Sequence, residues 1–108
     1  MPNLYKVLGQ AVPATSSDIV TVPSGKQQIL SSLMVANTTA SPVTYRVHVR
    51  IAGAAVATSN AIVYDSTVAP NDTVSLTLAM SLNAADVVTV VSGTSGSLTV
   101  TAFGTEIS

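Results

Sequence analysis

Val43-Thr44-Tyr45-Arg46-Val47-His48-Val49-Arg50-Ile51 is the stretch that decides the fold. Its apolar and aromatic side chains, at 43, 45, 47, 49 and 51, alternate with Thr44, Arg46, His48 and Arg50. A period of two places successive side chains on opposite faces of a β-strand, so one face goes to a core and the other to solvent. Burial of each inward side chain stabilises by about 1.5–3 kcal/mol before ordering entropy is subtracted. A slip by one residue would expose all of them, and the register is expected to be fixed.

The same alternation recurs outward from this segment, and no window sustains apolar residues at i, i+3, i+4 and i+7. About eight short strands are expected: Leu4 to Leu8, closing at Gly9; Asp18 to Val22; Gln27 to Ala36; Val43 to Ile51; Ile62 to Tyr64; Thr73 to Leu82; Val87 to Val91; and Leu98 to Ala102. In the third, Ile29, Leu33 and Val35 share one face while Leu30 and Met34 share the other. In the sixth, Val74, Leu76, Leu78, Met80 and Leu82 point inward. Pro23-Ser24-Gly25 and Asn83 to Asp86 read as turns, and Gly93-Thr94-Ser95-Gly96 as the bend of a hairpin between the last two strands. Asp65 to Asp72 is a polar connection, Ala52 to Asn60 an Ala- and Gly-rich loop that another chain could approach closely, and Phe103 to Ser108 a tail. Short strands at this spacing make an all-β, single antiparallel sandwich over residues 1–108, Ig-like or jelly-roll in topology.

Composition narrows the function. Of 108 residues only 8% are charged, against roughly a quarter in an ordinary domain. The outer faces are solvated by Ser and Thr instead, and a net charge of −1 leaves little repulsion between copies. Four Lys and Arg in all give no electrostatic basis for nucleic-acid binding. With no cysteine there is no disulfide and no thiolate chemistry. No apolar run approaches the roughly 18 residues that span a bilayer, and the amino end carries no secretory pattern, so neither a membrane partner nor export is expected.

Catalytic readings find little to hold. His48 could join a serine and an Asp such as Asp65, yet no Gly-x-Ser-x-Gly elbow is present. A lone His gives no zinc spacing, and Asp65 and Asp72 lack the Asp-x-Asp-x-Asp-Gly loop of a calcium site, so no metal and no other cofactor is expected. Asn37-Thr38-Thr39 and Asn71-Asp72-Thr73 fit the glycosylation pattern but read as turns. Arg46, His48 and Arg50 make the one concentrated positive face; its guanidiniums could pair with a partner's carboxylates, or it could be a solvated stripe. With Gly53 in the adjoining loop this face is the expected partner surface, its binding weakened by salt. Tyr5 and Lys6, on the first strand, are a second candidate anchor.

Tyr5-Lys6-Val7-Leu8-Gly9-Gln10, Tyr45-Arg46-Val47-His48-Val49-Arg50 followed by Ala52-Gly53-Ala54, Tyr64-Asp65, Asn71-Asp72-Thr73 and Phe103-Gly104-Thr105-Glu106-Ile107 together resemble small virion proteins of tailed bacteriophages, notably cyanophages. The resemblance runs nearly end to end. It implies a β-sandwich structural protein, for some look-alikes a cement or decoration protein on the outer capsid surface, assembled in the host cytoplasm. The implied partners are the major capsid protein and further copies of the chain, with a trimer as one arrangement. Similar short sequences look like tail or fibre components. A carbohydrate- or cell-surface-binding module is the rival of another class, although Tyr5, Tyr45 and Tyr64 are dispersed in the chain.

Overall fold

The computed structural model describes residues 3–107. Met1, Pro2, Ser108 and the side chains of Asn3 and Leu78 lie outside what is described; the inward placement expected of Leu78 is among them. Eight strands form in chain order: β1 (Asn3–Ala11), β2 (Ser16–Thr21), β3 (Gln27–Asn37), β4 (Val43–Arg50), β5 (Ala61–Val68), β6 (Thr73–Leu82), β7 (Val87–Ser92) and β8 (Leu98–Ile107). They make two four-stranded sheets, ordered β1-β8-β3-β6 and β2-β7-β4-β5, with every pairing antiparallel. The only helical pieces among the described residues are two single 3₁₀ turns, Ile51–Gly53 and Thr58–Asn60.

The pairs β1/β8, β2/β7, β3/β6 and β4/β5 are nested, like one long hairpin bent at β4/β5. Rolling that hairpin up brings β8 beside β3 and β7 beside β4. This is the jelly-roll order. An Ig-like sandwich would set several consecutive strands side by side, and here only β4 and β5 are consecutive neighbours in a sheet.

The core between the sheets is built mostly from valine and leucine, among them Leu30, Leu33, Val35, Val47, Val68, Val88, Val90, Leu98 and Val100, all fully buried. β-branched side chains suit a pleated half-buried surface, which is why so Val-rich a chain makes strands. Tyr45 is the large exception, buried among them. At Gly9 the β1 backbone presses against the Ile19 carbonyl of β2, where any methyl group would overlap it, so the two sheets meet closely along that margin. Gly9 follows an irregularity in the β1/β8 register and lies inside β1, which therefore does not close there as its sequence suggests.

Five further expectations are corrected. In β3 the register shifts between Leu30 and Ser32. The bulge reverses the phase of the strand, so Leu30 is inward with Leu33 and Val35 while Ile29 faces out. β4 ends at Arg50; Ile51 starts a 3₁₀ turn and is 73% exposed, outside the core assigned to it by alternation. β5 runs on through Asp65 to Val68, where a connection is expected, because its irregularities carry the chain past the polar residues. The last two strands form no hairpin: β7 lies between β2 and β4, β8 between β1 and β3, and neither has a free edge for the other. The segment expected as a tail is the second half of β8, zipped between β1 and β3.

Candidate functional site

Arg46, His48 and Arg50 do share the outer face of β4, and each is held by a different device. Opposite Arg46 the β4/β5 ladder sets two residues against one, since Tyr45 pairs with Ser66 and Val47 with Val63. The extra residues are Tyr64 and Asp65, and Asp65 has φ 53°. Such a bulge re-aims side chains. Here Asp65 grips Arg46 with both carboxylate oxygens, accepting from Nε at 2.7 Å and Nη2 at 3.1 Å. The Tyr64 ring lies under the same guanidinium, 4.0 Å from Cζ to the ring centre. The hydrogen bond from Arg46 holds the Asp65 carboxyl below its ordinary range.

His48 is 2% exposed rather than solvated, because the 51–60 loop folds back over it. Its Nδ1 lies 3.0 Å from the Ala57 carbonyl and 2.8 Å from Asn60 Oδ1. Two acceptors facing one ring nitrogen fix the proton there, so Nδ1–H donates to both. The Asn60 amide in turn donates to the Ala55 carbonyl.

Arg50 fastens the other end of that loop. Its Nε donates to Ala54 O at 2.6 Å and its Nη2 to Gly53 O at 3.3 Å. Nη1 reaches Asp18 Oδ1 at 3.0 Å and Thr89 Oγ1 at 3.2 Å. Gly53 contributes a carbonyl and a positive φ of 74°. Asp86 completes the fastening by accepting from the Ala52 amide. Each guanidinium of the expected positive face is thus already paired with a carboxylate of the same chain.

Beside these residues lies an open hollow of about 410 Å³, lined by Ser16, Arg46, His48, Val56, Thr58 and Tyr64 among others. Around it Tyr64 is 50% exposed and Val56 also presents apolar surface; Ile62 is exposed two residues before Tyr64 in β5, and Ile51 beyond the end of β4. The pieces of a Ser-His-Asp arrangement are engaged elsewhere, Asp65 with Arg46 and His48 Nδ1 with Ala57 and Asn60. No group of three or more potential metal ligands occurs among the described residues.

Tyr5 and Lys6 lie away from this face, on the other sheet, and their side chains leave β1 on opposite sides. Tyr5 is 84% exposed, whereas Lys6 turns to the inner side and reaches Glu106 at 3.2 Å. Glu106 also lies 3.8 Å from Lys26 and accepts from Gln28 Nε2 at 2.9 Å. The Gln28 hydrogen bond first, and then that of Lys6, draw its pKa down. Tyr64, Asp65, Asp18 and Asn60 are partners of the face that strand alternation alone does not reveal, being supplied by neighbouring strands and the covering loop. No protein-family model, curated protein or solved structure matches the chain.

Proposed function

We propose that this chain is a structural virion protein of a tailed bacteriophage, most specifically a capsid cement or decoration protein that binds the outer capsid lattice and stabilises it. The observation that carries the reading is the immobilised Arg46–Tyr64 pair beside the exposed Val56, which lines the same hollow. Arginine and tyrosine with apolar neighbours are what buried centres of protein interfaces use, and a guanidinium already fixed by Asp65 loses little freedom on docking. The partner, the major capsid protein, and the place, the outside of the capsid, are what the resemblance of the sequence to phage virion proteins implies. Copies bridging several capsid subunits would add weak contacts through effective concentration. A carbohydrate-binding reading is less well supported, because Arg46 covers one face of the Tyr64 ring that a sugar would need.

Decorated copies per particle, counted after adding purified protein to particles that lack it, test the proposal. Tyr64→Ser with Val56→Ser should leave the chain folded and lower occupancy. Because Arg46 and Arg50 are already paired, wild-type occupancy should change little with salt. Absence of the protein from intact virions would overturn the reading.

A further inference from the structure

We propose that the outer face of the β1-β8-β3-β6 sheet is a self-association surface on which a second copy of this chain packs face to face. The register sets Tyr5 and Val7 of β1, Phe103 of β8, and Ile29 and Met34 of β3 on that face. Tyr5, Val7, Ile29 and Phe103 are all exposed. The positions around them are Ser, Thr, Gln, Ala or Ile, and no Asp, Glu, Lys, Arg or His falls on this face among the described residues. The nearest charges, Lys6, Lys26 and Glu106, are tied to one another on the inner side of the sheet. Every other charged strand residue, Asp18, Arg46, Arg50 and Asp65, belongs to the opposite sheet.

Three properties single out a second copy as the occupant. In a two-fold interface each surface meets itself, so charges near the axis face their own kind, and a face without charges escapes that repulsion. A twisted sheet finds its complement in another sheet of the same twist, packed at about 30°. The size also suffices: four strands about 4.8 Å apart and about 33 Å long offer about 600 Å² per copy, or about 1,200 Å² in all, the lower bound for a stable specific interface. A foreign protein of ordinary surface would have to strip water from its charges against a face that offers none in return.

Sedimentation equilibrium of the intact chain, from micromolar to millimolar concentration, tests this without any capsid. The wild type should self-associate in that range. Phe103→Lys should weaken association by about tenfold or more through like-charge juxtaposition, and Thr101→Lys, near the centre of the face, should do the same. Thr58→Lys, on the opposite side of the sandwich, should change nothing. Circular dichroism monitors the fold, and if Phe103→Lys fails to fold the Thr101 variant decides. A wild type that stays monomeric at every concentration, or association indifferent to the folded face variants, overturns the proposal. This self-association does not depend on the proposed function, and loss of capsid binding with self-association intact would fail only the lattice reading.

Discussion

Tyr45 and Thr44 are neighbours in sequence with opposite surroundings, one 2% exposed and the other on the outer face. Tyr45→Asp forces a carboxylate among Val47, Val68 and Val90, whereas Thr44→Asp meets water. Truncating a buried aromatic alone costs about 3–5 kcal/mol, and an unpaired buried charge adds to that. Urea denaturation should therefore find Tyr45→Asp unfolded or nearly so, and Thr44→Asp within about 0.5 kcal/mol of wild type. Equal losses would mean that β4 has the wrong register. At this scale the sequence is read well where alternation is uninterrupted, as in β4, and misread at Ile29 and Leu30, where one bulged residue reverses the phase. A bulge leaves no mark on apolar periodicity until the partner strands are known.

The 51–60 loop is an element with almost no core of its own: most of it is exposed, and what holds it are hydrogen bonds to His48, Arg50 and Asp86. Arg50→Ser removes the donors to Gly53 and Ala54 together. Amide exchange across 51–60 should then quicken markedly while β3 and β8 keep their protection, because segments with few buried contacts open independently of the global fold. Uniform acceleration throughout the chain would show that the loop is part of the core cooperative unit. The positive face was legible in sequence as three residues of one strand. Its neutralisation was not, since Asp65 and Asp18 come from β5 and β2, and only the sheet order brings them alongside. The nested order itself is equally hidden, because each strand's alternation says which face is inward and nothing about its neighbour.

The whole molecule carries its pH dependence in a few groups. Glu106, held below its ordinary 4.5 by Gln28 and Lys6, and Asp65, held below 3.8 by Arg46, bind fewer protons folded than unfolded. Their contribution is complete above about 4.5 and is lost as pH falls through the depressed values. Tyr45 works in the other direction: burial raises its pKa above 10.0, so its contribution is complete below that pH and lost as pH rises through the folded value. Urea midpoints should be level between these limits and decline on both sides. Glu106→Gln should flatten part of the acid limb and Tyr45→Phe the alkaline one; limbs unchanged by either substitution would place the titrating groups elsewhere.

Asn3 stands opposite Ile107 in the β1/β8 ladder. Anything joined beyond either residue would leave the sandwich from a single point, and tension between the two would act across the ladder rather than along it. Antiparallel hydrogen bonds lie perpendicular to their strands, so such a pull opens the seam rung by rung, beginning at Asn3, instead of shearing all its bonds together. Drawn apart at Asn3 and Ile107, the molecule is mechanically weak, because the seam yields one pair at a time.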